Sequence, residues 1–411
     1  MTLYDTTNPV LGELSIQVTN GSTSVELDRW LSYDYTEDFL SPSDEGHFIL
    51  DEKELTSTER SALVPGAKVR VMLGGNPQSI GYLDEIEWHG SRTEGSIVRV
   101  TTRDWLSPAV DAHVDPNTRF NDSMTLFDVL TACFTPFGMD VLALDNSANR
   151  NAITGRIYGA PTSRTGKTLR SYATHTLKPY PQEGVFAFAA RVSQRLGLWI
   201  WPAVDGTTVV VGQPDFDQPP RYGIQLQEQG NTGSVYNNVE DWHFKRSRRE
   251  QPSVIYASGF GAGGVFPKSR LRAGIVNPLV NVPNLSTILD EYPDVTMVPV
   301  DDVTSAVKPF IEANPRPLFL YDSESHDQAQ LEAFLKRELS LRMRKALTAR
   351  YTFMGHALNG QPVAVDTIVG ATDDKSGFQG PLWVLGRRFS KSATEGSRTN
   401  LDLVLPGSIQ F

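Results

Sequence analysis

Apolar residues in this chain follow two different periods in different stretches, and that change of period constrains the fold more than any other feature. Over the first hundred residues they alternate, as in Leu14-Ser15-Ile16-Gln17-Val18 and, beyond a turn at Pro65-Gly66, Val69-Arg70-Val71-Met72-Leu73. Residues 81–88 and Ile97-Val98-Arg99-Val100-Thr101 follow at hairpin distances. A period of two turns one face of an extended strand to a core, and short regular spacing suggests an antiparallel sandwich or barrel. Residues 1–106 are expected to form a first β domain.

After Trp105 the period becomes helical. Leu126, Val129, Leu130, Cys133, Phe134 and Phe137 share one face, Thr125 and Asp128 form a capping-box pattern, and Gly138 is placed to stop the helix. Val185, Phe188, Ala189, Val192 and Leu196 repeat the pattern before Gly197. A hairpin follows, Leu198-Trp199-Ile200-Trp201, a turn at Asp205-Gly206 and residues 207–211. Residues 107–215 therefore read as a small α+β domain with a loose polar stretch at 144–182, and Pro214, Pro219 and Pro220 bracket a linker.

Strand signals return at 224–226, 239–244 and 254–258. Residues 262–321 are rich in Pro and Val with little period. Leu331, Leu335, Leu339 and Met343 then form one i+4 row with Phe334 beside it, and Ser325 with Gln328 reads as a capping box. Strands are expected at 349–353, 362–369, 382–389 and 399–405. The sequence thus predicts a mainly β fold with α+β parts. Two β domains flank the small α+β domain, the second built from 216–261 and 346–411. An irregular insertion, 262–345, ending in an amphipathic helix interrupts that second β domain.

One tetrapeptide recurs: Thr93-Glu94-Gly95-Ser96 and Thr394-Glu395-Gly396-Ser397, each joining an apolar strand to an alternating one. Its position at two corresponding hairpins points to two related β domains.

The length of 411 residues suits two to four domains. With 38 Lys+Arg against 48 Asp+Glu the net charge is −10, which argues against tight affinity for phosphate backbones. The one cysteine excludes an intramolecular disulfide framework and any cysteine-based metal cluster within one chain. No apolar run approaches the length of a membrane span and no signal-peptide pattern opens the chain, so a soluble protein made in a cytoplasm is expected.

Local motifs are weak. Gly259-Phe260-Gly261-Ala262-Gly263-Gly264 has dinucleotide-site spacing, but Val265-Phe266-Pro267 follows instead of a helix, and residues 274–285 hold no acid. Gly166-Lys167-Thr168 ends like a phosphate-binding loop, yet Pro161 stands where the motif requires glycine. The histidines at 47, 89, 113, 175, 243, 326 and 356 lack a metal-binding spacing. Cys133 lies on the apolar face of its helix and reads as a buried structural thiol. The run Lys245-Arg246-Ser247-Arg248-Arg249 reads as a polar hairpin or a contact to an acidic partner. No catalytic, cofactor-binding or metal-ligating residue is assigned.

Several segments together carry a family resemblance. They are Gly81-Tyr82-Leu83-Asp84-Glu85-Ile86-Glu87 and Thr102-Arg103-Asp104-Trp105-Leu106, Lys178-Pro179-Tyr180-Pro181-Gln182-Glu183-Gly184-Val185-Phe186-Ala187-Phe188 leading to Gly197-Leu198-Trp199-Ile200-Trp201, and Gly380-Pro381-Leu382-Trp383-Val384 to Leu405-Pro406-Gly407. The chain resembles the baseplate hub proteins of contractile-tailed bacteriophages, which are related to hub parts of contractile injection systems. The similarity spans roughly 60–260 and 340–411 and leaves 262–321 unmatched. It implies a structural, non-enzymatic homotrimer in the virion tail baseplate, assembled in the host bacterial cytoplasm. It also implies that the two β domains, 1–106 and 216–261 with 346–411, are tube-like antiparallel β-barrel domains, the second interrupted by the insertion, and two related barrels in each of three subunits give a near six-fold ring. Such a ring joins the tail tube protein to a three-fold central spike protein, contacts other baseplate proteins, and lets DNA pass without specific binding. Net acidity would then suit a channel lining, because like charges repel the DNA backbone.

Two other readings compete. A tail-associated cell-wall hydrolase needs two positioned carboxylates, and none stands in a recognisable signature. A β-rich receptor- or carbohydrate-binding module would use exposed Trp199 or Trp201 as stacking platforms, although their alternation puts both on one face, more often a core face.

Overall fold

Strand formation begins where the apolar alternation begins. The computed structural model describes residues 12–92, 95–115, 117–118, 120, 126–143, 178–194, 198–227, 237–260, 270–281, 294–300, 310–312, 316–322, 325, 328–358 and 360–408. The N-terminal part contains β1 (Leu14–Asn20), β2 (Thr23–Leu27), β3 (Trp30–Asp38), β4 (Glu45–Asp51), β5 (Lys68–Leu73), β6 (Asn76–Ser91) and β7 (Gly95–Asp104), with helix α1 (Ser57–Ala62) between β4 and β5. Alternate residues of β1 (Leu14, Ile16 and Val18) are fully buried, as period two requires. Thr56 caps α1 in a complete capping box with Glu59.

The middle part is built as the helical periods indicate. Helices α2 (Ser107–Asp111), α3 (Leu126–Phe134) and α4 (Val185–Gln194) pack on a three-stranded sheet of β8 (Asp140–Ala143), β9 (Trp199–Pro202) and β10 (Thr208–Gly212). Gly138 ends the turn after α3 in the left-handed region at φ 72°. The Asp205 carboxylate closes the β9–β10 turn by accepting from the amides of Thr207 and Thr208, both at 2.9 Å. Gly206 follows at φ 78°, and a Cβ there would stand 2.8 Å from the Ile80 side chain, so the turn lies hard against β6. Thr125, Leu196, Gly197 and the loop at 159–168 fall outside the described residues, as does all of 144–177.

The C-terminal part opens with β11 (Tyr222–Leu226), β12 (Asp241–Arg246) and β13 (Val254–Phe260). The stretch 262–321, expected to be irregular, instead supplies β14 (Arg270–Val276), β15 (Val280–Asn281), β16 (Thr296–Val298), β17 (Ile311–Glu312) and β18 (Leu318–Asp322). Here β13 joins not the large sheet but a four-stranded one, in the order β16-β14-β13-β18. Its inner residues Ile255, Ala257, Ala273 and Ile275 are covered by helix α5 (Gln328–Ala346). The helix buries the row Leu331, Leu335, Leu339 and Met343. Short alternating runs far apart in sequence make this sheet, which is why no continuous period announced it. The Ser325 hydroxyl donates to Asp322 and the Gln328 amide to Glu332. The chain ends in β19 (Leu347–Met354), β20 (Ala357–Leu358), β21 (Gln361–Pro362), β22 (Ile368–Asp373), β23 (Phe378–Ser392) and β24 (Gly396–Val404). The strand expected at 362–369 is broken by a turn in which Asp366 takes φ 60°.

The fold is mainly β with large antiparallel sheets and few helices. Both β parts lie in one sheet of 13 strands, ordered β12-β19-β24-β23-β3-β4-β7-β6-β5-β1-β2, with β11 and β22 attached beside β23.

Within that sheet the two β parts repeat one another. The β6–β7 and β23–β24 hairpins have the same register throughout: a shift of 301 residues carries every pairing from Tyr82–Arg103 to Ser91–Gly95 onto Trp383–Val404 to Ser392–Gly396. Each has a bulge at the same point, Asp84 in one and Leu385 in the other. Gly95 and Gly396 both take positive φ, 82° and 69°. The neighbours agree as well. Lys68 faces Tyr82 as Ile368 faces Trp383, Glu45 faces Arg103 as Thr348 faces Val404, and Tyr33 faces Phe48 as Trp242 faces Tyr351. Hence β3, β4, β5, β6 and β7 correspond to β12, β19, β22, β23 and β24. The recurring tetrapeptide marks equivalent turns, with residues 93–94 outside the described set.

Candidate functional site

The two β parts meet where residues 386–391 of β23 pair antiparallel with 38–33 of β3. Phe389 and Tyr35 face each other there with ring centroids 6.3 Å apart, and His356 stands 4.8 Å from Phe389. Arg387, 4% exposed, donates to Oε2 of Glu37 from Nε at 2.9 Å and Nη2 at 2.6 Å, and a third donor reaches the carbonyl of Val363. Its guanidinium also lies 4.6 Å from the Phe389 ring centroid. A charge can be kept in a core only with partners of this quality.

A neutral relay completes the joint. Thr399 Oγ1 donates to the carbonyl of Gly355 at 2.7 Å, so it accepts from Nδ1 of His356 at 3.0 Å. That leaves Nε2 to accept from the Tyr33 hydroxyl at 2.6 Å. Burial draws His356 down to about 4 and pushes Tyr33 up to about 12. Neither group exchanges protons near neutrality, so the cluster is built to hold two strands together.

The opposite face of the same strands is exposed. It opens into a depression of about 590 Å³ whose lining includes Asp34, His47, Glu240, Arg388 and Arg398. Arg388 donates to Asp34 from Nε at 2.7 Å, Arg398 meets Glu240 at 2.7 Å, Arg350 meets Asp402 at 2.8 Å, and Arg99 meets Glu87 at 3.1 Å. The hydrogen bonds to Asp34, Glu240 and Asp402 raise the pKa of Arg388, Arg398 and Arg350. On this face Arg388, Arg398, Arg350 and Arg99 therefore each stand against a carboxylate.

The residues weighed from sequence scatter. Cys133 is buried, and burial pushes its thiol up to about 12. Of the histidines, His356 serves the joint, His47 stands 3.6 Å from Glu45 on the exposed face, and His175 and His326 lie outside the described residues. Among the described residues no three His, Cys, Asp or Glu side chains gather as metal ligands. Gly259 and Phe260 end β13, and 261–264 are not described. Trp199 and Trp201 are 8% and 1% exposed and pack on Phe39, with centroids at 6.1 and 5.2 Å, so they are not stacking platforms for a sugar. The basic run begins in β12, an edge strand. Sequence reasoning missed Tyr33, Glu37 and Arg387. Glu37 and Arg387 stand 350 positions apart, and no local pattern links them.

No protein-family model matches the sequence, and no curated protein matches it. Solved structures do match over nearly the whole chain. A tail protein from Neisseria meningitidis MC58 is 19% identical with a TM-score of 0.67, over 97% of this chain and 99% of that one. A 43 kDa tail protein of prophage MuSo2 from Shewanella oneidensis is 16% identical with a TM-score of 0.66, over 96% and 99%. A chain of the Francisella PdpA–VgrG complex is 9% identical with a TM-score of 0.50, over 97% of this chain and 58% of that one. The chain has the fold of phage tail proteins.

Proposed function

We propose that the protein is a structural, non-enzymatic baseplate hub of a phage-type tail. It assembles as a homotrimeric ring, seats the tail tube protein on one side and the central spike protein on the other, contacts other baseplate proteins, and forms part of the channel for DNA. The observation that carries this reading is the tail-protein fold shared over nearly the full length, within which one chain holds the same five-strand unit twice. Three chains then present six near-equivalent β units under three-fold symmetry, which suits a junction between a six-fold and a three-fold partner.

In this reading residues 1–106 and the segments 216–261 and 346–411 are the two ring units, 107–215 is the domain between them, and 262–345 is the insertion. The ion-paired exposed face lines the channel, where matched charges give a DNA backbone nothing to hold. The protein resides in the virion tail after assembly in the host bacterial cytoplasm.

Light scattering during size-exclusion chromatography, with candidate tube and spike proteins from the same genome added in turn, tests the reading. The expected result is a mass three times 45.4 kDa and co-elution with each partner. A chain that stays monomeric at every concentration, or that degrades peptidoglycan, overturns it.

A further inference from the structure

The long strand β23 is used along its whole outer edge: residues 378–383 pair with β22, and 386–391 pair with β3. Its counterpart β6 is used only in part. Residues 76–82 pair with β5, and among the described residues 85–90 have no ladder partner on that side. At the other end of the sheet β12, the counterpart of β3, pairs among the described residues with β19 alone. One chain therefore contains one complete joint and the two separated halves of a second.

We propose that a second copy of this chain completes the joint. Residues 85–90 of β6 pair antiparallel with 247–242, the end of β12 and the residue after it, in the neighbouring copy, in the register that β23 and β3 already use. This rests on the ring reading above and adds the edges and the register. Carrying the intrachain pairings across sets Glu87 opposite Lys245, Ile86 opposite Arg246, Trp88 opposite Phe244 and Gly90 opposite Trp242.

Three observations favour that occupant. The first is exposure: Trp88 is 47% exposed where its counterpart Phe389 is 0%, and Trp242 is 43% exposed where its counterpart Tyr33 is 3%. Large aromatic rings at covered positions of one joint stand open at the same positions of the other. The second is charge. Asp84, Glu85 and Glu87 on β6 meet the run Lys245, Arg246, Arg248 and Arg249 that extends from β12. Glu87 already accepts from Arg99 at 3.1 Å and has a second oxygen to offer. The third is the edge itself, since unpaired strands of this length are ordinarily covered, and β-augmentation by another copy covers both at once. Because the two edges differ, addition is head to tail and ends only when a ring closes.

Disulfide trapping tests the register on the full chain, with native Cys133 buried and unreactive. Glu87→Cys with Lys245→Cys should cross-link neighbouring copies at least tenfold faster than Glu87→Cys with Asp241→Cys, whose sulfurs are separated by about 13 Å along the strand. Independently, Lys245→Glu should weaken assembly at least tenfold, and adding Glu87→Lys should restore it. If the assembly keeps its mass but the 87–245 pair gains no advantage, or the reversed pair fails to rescue, the register is wrong and the ring reading stands. If the chain is monomeric throughout, the ring reading falls and this inference falls with it.

Discussion

Arg387 and Glu37 form a buried ion pair across the joint, two hydrogen bonds at 2.9 and 2.6 Å between residues 350 positions apart. Removing one partner leaves an uncompensated charge in the core. Arg387→Met is expected to lower the unfolding free energy by on the order of 3–5 kcal/mol. Adding Glu37→Leu should recover most of it, and urea titration of the two variants reads the difference.

His356 gives the joint a pH dependence. Its pKa is about 4 in the fold against 6.5 as an ordinary histidine. Between those values the unfolded chain takes up a proton that the folded chain refuses, so stability falls as pH drops from about 6.5 to 4. Above 6.5 the imidazole is neutral in both states and the contribution is constant. The loss attributable to this group is on the order of 3 kcal/mol. Arg387 nearby opposes protonation further, while Tyr33 stays neutral over the whole range. Thermal melts of the parent and His356→Gln across that range should show a flatter acid limb in the variant.

How much of this was legible in the sequence depended on whether a period survived locally. The α5 row from Leu331 to Met343 and the alternation in β1 and β5 were readable because each core face is formed within one element. Strand β3 was not. Its register slips between Trp30 and Ser32, so Trp30 and Tyr33 fall on one face at an odd spacing, and the buried Glu37 breaks the apolar pattern outright. The sheet under α5 was missed because β18 reaches β13 from about sixty residues away, a distance that no window of alternation spans. The recurring tetrapeptide gave the one local sign of the repeat, since bulges at Asp84 and Leu385 leave no residue type in common.

Gly81 tests the close approach of β6 to β7. A Cβ there would lie 1.9 Å from the Arg103 carbonyl oxygen and 2.7 Å from the Asp104 Cα, both backbone atoms that cannot swing aside. Gly81→Ala should cost about 3 kcal/mol or more. Gly21→Ala, at φ 59° in open space, should cost about 1 kcal/mol. Paired thermal melts rank the two, and equal losses would refute the contact.

The exposed face should gain affinity for DNA when its pairing is undone. Asp34→Asn with Asp402→Asn frees Arg388 and Arg350, which the carboxylates now hold. Fluorescence anisotropy with a double-stranded probe is expected to show weak binding by the parent. The variant should bind more tightly, with a log–log salt slope steeper by about 0.9 per phosphate engaged. An unchanged slope would mean that this face does not meet the backbone.

In the proposed assembly, two related β units in one chain build a closed ring with its neighbours. Electron cryomicroscopy of the assembly viewed down its axis measures this directly. The expected map shows three chains around an open channel, six β units of near-equal size, and a strand ladder that continues from β6 of one copy into β12 of the next. Isolated chains, or a ring in which those two edges stay apart, would contradict it.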